Sequence, residues 1–327
     1  MLWVIAAYSL LGMDVVPFHG DESTTVWMSR DFDTIILQGN WDAIFYQPPP
    51  RRTTDQHLRI VTGNFSKFWM GLSWWLGGFS VEHINDQWVW SPDLDLEWNK
   101  INGHVPSEKL LWLTRLSSTW MLIVSAAAVY KIVEILALRL FAHRMTAQVA
   151  SYFGVLFYMT NPAVLLNARR AMFEGGLLLM LALLALWSIK MLNNWSTLTW
   201  RSFFVLGVLT GITFTTKHSA VFTVILFYLV LLGVFLKERS WVHLFYTFSS
   251  GGLALITMFA FSPMWWNAPL EMPHVTYEER RAILQLQVDL FGGYEYWLDR
   301  LHGLAQHTLI VEPQYYEADY WGDFEGV

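Results

Sequence analysis

The chain contains no cysteine. Disulfide frameworks, thiolate metal sites and cysteine nucleophiles are therefore excluded. Charge is scarce as well. Asp, Glu, Lys and Arg make up 15% of the 327 residues, where a soluble domain carries roughly 25%. The remaining charges sum to −6, with a pI near 5.9, which argues against a nucleic-acid surface. Also missing are the alternating segments of about ten residues that mark a membrane β-barrel. No internal repeat is visible.

Apolar residues dominate instead, at 54% with a mean hydropathy of +0.33. They fall in seven segments, at residues 1–16, 110–130, 146–166, 171–189, 202–216, 219–236 and 241–261. A bilayer span must satisfy its backbone internally, so these segments are expected to be helices of an all-α polytopic membrane protein. The first is short and interrupted by Asp14. It could instead be a signal-peptide core, but it lacks a basic n-region and no A-x-A-like site follows. Lys and Arg in short loops set orientation. Arg139, His143 and Arg144, then Lys190 and Arg201, then Lys237 and Arg239 alternate as cytoplasmic loops and are read as topology determinants. The opposite side receives the loop 17–109, the turns at Asn167 and Lys217, and the tail after residue 262. Arg169, Arg170 and Lys217 break the positive-inside trend there, and an anionic ligand is a reason for them to do so.

The long loop holds Trp69, Trp74, Trp75, Trp88, Trp90 and Trp98, enough to bury surface of its own. Pro48, Pro49 and Pro50 form a stiff extended piece. Residues 65–79 are aromatic and apolar and are expected to lie in the interface as an amphipathic helix. The chain divides into a transmembrane part, 1–262, and a segment 263–327, read as an external loop or the start of a further part. Within it 278–301 is helix-like and 313–327 is acidic and aromatic. The acidic end segment is expected to continue into a longer protein.

Three polar elements fall on the loop side. His19-Gly20-Asp21-Glu22 places two carboxylates and a histidine just after the first segment, suited to a general base or metal ligand. The same residues also fit a helix start capped by Asp21. Arg169, Arg170 and Glu174 follow Asn167 in the hinge between the third and fourth segments. Arg170 and Glu174 are four apart and could pair, which leaves Arg169 unexplained. Arginine suits phosphate through its planar fork. Thr215-Thr216-Lys217-His218 is the third element, and its lysine could also snorkel at a helix end. Asn64-Phe65-Ser66 and Asn194-Trp195-Ser196 match glycosylation acceptors by pattern. The tail acids Glu312, Glu317, Asp319 and Asp323 read as a solvated face.

The DE pair after a short first span, the proline cluster, Asn167-x-Arg169-Arg170-Ala171-Met172-x-Glu174 and Thr216-Lys217-His218-Ser219-Ala220 together resemble a known family. It is that of the dolichyl-phosphate-mannose–protein mannosyltransferase-like glycosyltransferases of GT-C fold, in particular the bacterial phospholipid-carrier-dependent members. The resemblance covers about residues 17 to 262. Gln47-Pro48-Pro49-Pro50 stands where that family has His-Pro-Pro-Leu, without the histidine. The resemblance implies a GT-C-like bundle and an inverting transfer of a sugar from a polyprenyl-phosphate carrier to a hydroxyl acceptor on protein, lipid or glycan. It further implies a bacterial plasma membrane, an extracytoplasmic active site, and Asp21 as catalytic base with Glu22 beside it. Arg169, Arg170, Lys217 and His218 are then expected to bind the carrier phosphate, with His19 and Glu174 as further site candidates. Trp69, Trp74 and Trp75 could pack on sugar or prenyl chain, or simply rest on the membrane. A divalent cation could bridge Asp21 and phosphate, although the sequence shows no complete ligand set. Two other readings stay open. One is a transporter or flippase of a lipid-linked anion, the other a non-catalytic assembly subunit.

Overall fold

The computed structural model describes residues 2–48, 54–91, 94–141, 143–294 and 296–309. Among these, every regular element is helical. Before the long hydrophobic helices come α1 (Leu2–Leu11), α2 (Gly20–Met28), α3 (Thr54–Val61), α4 (Phe65–Leu76) and α5 (Leu96–Ile101). The bundle follows as α6 (Glu108–Phe141), α7 (Arg144–Thr160), α8 (Pro162–Arg169), α9 (Glu174–Asn193), α10 (Trp200–Thr216), α11 (Val221–Glu238) and α12 (Trp241–Ala260). The amphipathic α13 (Met272–Phe291) and α14 (Trp297–Leu309) close the described chain.

Four of these stretches are long and apolar enough to cross a bilayer, at Glu108–Phe141, Glu174–Asn193, His218–Glu238 and Trp241–Ala260. A fifth is added if the bent pair α7–α8 counts as one span. The protein is thus a helical membrane protein by length and composition. Two of the seven sequence segments form shorter helices. With ten residues α1 reaches only about 15 Å, and with 17 residues α10 reaches about 25 Å, at 1.5 Å per residue. The third segment, read from sequence as one helix, bends by 62° between α7 and α8. Pro162 removes a backbone donor there, and the Asn161 side chain accepts from Val164 N at 3.2 Å to restart the helix.

Large apolar side chains stay exposed on the outer faces, among them Phe153 and Phe157 of α7, Phe222 and Leu229 of α11, and Phe245 and Phe248 of α12. In water such faces would associate, whereas lipid accepts them. Inside the bundle α10 lies against α12 through small residues. A Cβ added at Gly207 would sit 2.7 Å from the Ser250 carbonyl oxygen, and one at Gly211 2.6 Å from that of Ala254. This four-residue glycine spacing lets the two backbones approach, the usual device where lipid offers no hydrophobic drive between helices.

The amphipathic helix expected over 65–79 forms as α4, with one face packed inside the protein. Helix α4 is wedged against α2 and α6. Trp74 is fully buried and donates from Nε1 to Ser29 Oγ at 2.8 Å, so it is not available to a ligand. Trp69, Trp75 and Leu76 remain on the exposed face. The helix expected over 278–301 begins earlier and breaks at Gly292 and Gly293 into α13 and α14. Helix α13 docks on α3, with His57 Nδ1 2.9 Å from Glu279 Oε2. The acidic stretch 313–327, with Glu317, Asp319 and Asp323, and Glu312 before it, lies outside the described residues, as do Pro49 and Pro50.

Replacing Gly211 with Leu should destabilise the bundle by about 1–3 kcal/mol or more, because a side chain there overpacks the crossing. A Cβ at Gly233 of α11 meets nothing within 4 Å, so Gly233→Leu serves as the control. Thermal unfolding in detergent should show a lowered midpoint for the first variant only.

Candidate functional site

Helix α2 begins at a doubly closed cap. His19 is extended, its Nδ1 accepts from Asp21 N at 3.0 Å, and Glu22 Oε2 accepts from His19 N at 3.1 Å. Glu22 then reaches away from solvent. Arg115 of α6 donates to it twice, Nε to Oε1 and Nη2 to Oε2, both at 2.8 Å. Ala171 N, in the hinge between α8 and α9, donates to Oε1 at 2.8 Å. These four donors match the roughly four lone-pair sites of a carboxylate. Arg115 uses Nη1 to bind the carbonyls of Met13 and Val16, each at 3.0 Å. One ion pair thus joins the end of α1, the start of α2, α6 and the hinge.

The two neighbouring acids consequently differ. Glu22 is 0% exposed with its lone pairs taken, so it anchors the helix rather than accepting a proton from a substrate. Asp21, one residue earlier and turned by a helical step of about 100°, keeps 46% of its side chain exposed, with Oδ2 3.7 Å from His19 Nδ1. The rings of Trp90 and His19 lie 6.3 Å apart, and Trp90 is 44% exposed. Beside Arg115 opens a cleft of 570 Å³ lined by Asp14, Glu108, Lys109, Leu111 and Trp112.

The hinge and the α10–α11 turn join the same end of the bundle. Arg170 Nε donates to Pro17 O at 3.3 Å, close to the start of α2. Arg169 Nη2 donates to Tyr8 O at 2.7 Å, and its guanidinium lies 4.9 Å over the Tyr8 ring. Glu174 forms an ion pair with Lys217, not with Arg170 as the four-residue spacing suggested. The reason is local. Arg170 lies in extended backbone outside α9, so the helical spacing does not apply. Asn64 is buried and donates to Phe261 O at 3.2 Å, which removes it as a glycosylation acceptor in this fold.

A further group of cations was not singled out from sequence. The turn after α3 is pressed against the end of α10, where a Cβ at Gly63 would lie 2.3 Å from the carbonyl oxygens of Thr215 and Thr216. Around this turn Arg280 Nη1 of α13 donates to Val61 O at 3.0 Å and Lys67 Nζ of α4 donates to Thr62 Oγ1 at 3.3 Å. Lys67 is 0% exposed. Arg59 and Asp31 form a two-bond pair nearby, at 2.8 and 2.6 Å. Burial pulls the Lys67 ammonium down to about 8, with the Asp31 carboxylate opposing that shift and Arg59 reinforcing it. The sequence held one signal for this. Lys67 is a lone cation in an apolar run with no acid three or four residues away on its helix.

Among the described residues no group of three or more His, Asp and Glu gathers in a metal-binding arrangement. No family model, curated protein or solved structure matches the chain.

Removing one partner of the buried pair, as in Arg115→Met, leaves Glu22 charged and uncompensated. The expected loss is about 3–5 kcal/mol, read as a lowered unfolding midpoint. Lys67 behaves in the opposite way. Its folded pKa lies below its unfolded value, so the penalty for burying the charge is full below pH 8, shrinks as pH rises through 8 and vanishes near 10.5. Lys67→Met should therefore exceed the parent in stability by up to about 3 kcal/mol at pH 7. That gain should fade by pH 10. A gain that stays constant with pH contradicts the assignment.

Proposed function

We propose that this membrane protein is an inverting glycosyltransferase. It moves a sugar from a polyprenyl-phosphate carrier to a hydroxyl on a protein, lipid or glycan acceptor, at the extracytoplasmic face of a bacterial plasma membrane. In this reading all seven apolar segments lie in the membrane, α1 and α10 included. The observation that carries it is the division between adjacent acids. Asp21 presents a half-exposed carboxylate at the rim of the bundle, while Glu22 and Arg115 fix the helix turn that holds it.

The chemistry follows from that arrangement. Asp21 takes the proton of the acceptor hydroxyl as its oxygen attacks the anomeric carbon. Attack comes from the face opposite the phosphate, the sugar–phosphate bond breaks, and configuration inverts. Charge builds on the departing phosphate, and cations fixed in advance at that end of the bundle lower the barrier. Arg170 beside Pro17 and Lys217 at the α10–α11 turn are the cations at that end, with the His218 imidazole next to Lys217. Trp90, packed on His19, offers an aromatic face next to the base.

The test uses the purified chain in lipid vesicles with a panel of radiolabelled polyprenyl-phosphate sugars and hydroxyl acceptors. Asp21→Asn should lower transfer by at least about a hundredfold while leaving vesicle incorporation and unfolding midpoint unchanged. Transfer at the parental rate by that variant removes Asp21 as the base. Movement of the labelled carrier across the bilayer without sugar transfer replaces the enzyme by a flippase.

A further inference from the structure

We propose that Lys67, His218 and Arg280 frame a binding site for a phosphate group, with the Ser66 hydroxyl as a fourth donor. The three cationic or protonatable groups come from three separate elements, α4, the α10–α11 turn and α13; Lys67 and Arg280 bond to Thr62 and Val61, and His218 follows the Thr215 and Thr216 carbonyls that face Gly63. His218 lies within electrostatic reach of both Lys67 and Arg280. Ser66 and Thr216 share one contact point, since a Cβ at Gly176 would fall 2.5 Å from Ser66 Oγ and 3.0 Å from Thr216 Cγ2.

The argument is one of unmet charge. An ammonium has three donors, and Lys67, sealed from solvent, makes a single long bond to Thr62 Oγ1 among the described residues. The nearby Asp31 is engaged by both guanidinium arms of Arg59. Arg280 reaches a backbone carbonyl and no carboxylate among the described residues, because its neighbour Glu279 pairs with His57. Asp55 faces Arg30, and Glu174 is matched by Lys217. The described carboxylates around the cluster are thus engaged elsewhere, Asp31 acting on Lys67 but bridged by Arg59, and no described carboxylate bonds Lys67 or Arg280 directly. Two buried neutral donors or acceptors point the same way. Ser66 Oγ and His218 Nδ1 are both buried without a partner. A buried charge without a counter-charge is strongly unfavourable, and a tetrahedral oxyanion held by an arginine fork, an ammonium, an imidazole and a hydroxyl satisfies all four at once.

A phosphate on a lipid-linked sugar and free phosphate offer the same oxygens. In the glycosyl-transfer reading the site receives the carrier's phosphate, and the cations that bond residues 61 and 62 attract either source. It also adds a role for α13, which brings Arg280 to the cluster from beyond the last span.

The experiment measures binding by calorimetry to the full chain in nanodiscs, with inorganic phosphate and farnesyl monophosphate as probes. Both should bind, and Lys67→Met and Arg280→Gln should each weaken binding at least about tenfold, the loss of one charge-assisted hydrogen bond. Because Lys67→Met removes a buried charge, its unfolding midpoint without probe should not fall, which separates lost binding from lost folding. Affinity should drop as pH rises through about 8, where Lys67 gives up its proton in the unoccupied site. Asp31 and Arg59 are the charged groups that act on it, and Lys67 in turn acts on the His218 imidazole. Tighter binding of the farnesyl ester marks a lipid-linked source, and equal affinity marks free phosphate. If neither probe binds, or if both variants bind as the parent does, the site is overturned. Binding that persists in a protein incapable of sugar transfer keeps the site and defeats the catalytic reading alone.

Discussion

A carboxylate withdrawn completely from water has to be matched by donors, and Glu22 organises the loop-side end of this bundle around that need. Arg115 supplies two of its hydrogen bonds, and backbone amides from the helix cap and the hinge supply the other two. The same guanidinium holds the carbonyls of Met13 and Val16 in the turn after α1. Four chain segments that share no local sequence relation are thereby fixed to one point. Such a pair adds little net stability over apolar packing, and its recognised use is to specify one arrangement among several. Here the arrangement specified is the entry angle of α2, and with it the placement of Asp21.

Charge at this end sorts into two kinds. Arg115, Arg59, Arg30 and Lys217 have carboxylate partners. Arg169 is held by a carbonyl and the ring of Tyr8. Those groups build the scaffold. Lys67 and Arg280 also bond directly only to neutral oxygens, and the Asp31 carboxylate that acts on Lys67 is bridged by Arg59. A cation without a direct carboxylate partner attracts an anion more strongly in a low-dielectric setting than one already paired.

Membrane residence and site construction are connected through helix packing. Close approach of α10 and α12 at Gly207 and Gly211 brings the C-terminal ends of both helices to the turn 61–64, where Asn64 meets Phe261 and Gly63 meets Thr215. The outward faces of α7, α11 and α12 remain apolar and exposed. Lipid-facing surface and polar rim therefore belong to the same helices, one along their length and the other at their ends.

Several features were legible in the residues themselves. Long apolar runs dictate helices in a bilayer, and chain order suggested one shared end for Asp21, the hinge and the Thr216-Lys217-His218 turn, where Glu22, Arg170 and Lys217 make their contacts. Those are consequences of composition and chain order. The bend at Pro162 was visible as a residue type but not as an angle. Partner choice was not legible at all. Glu22 meets Arg115 across 93 residues and Ala171 across 149, and Glu174 prefers Lys217 to the nearer Arg170. Periodicity describes only neighbours on one helix. Which of two adjacent acids is buried, and which lysine is left without a direct carboxylate partner, depends on surfaces assembled from distant segments. Only the packed chain decides that, because the energy of a charge is set by what surrounds it rather than by its place in the sequence.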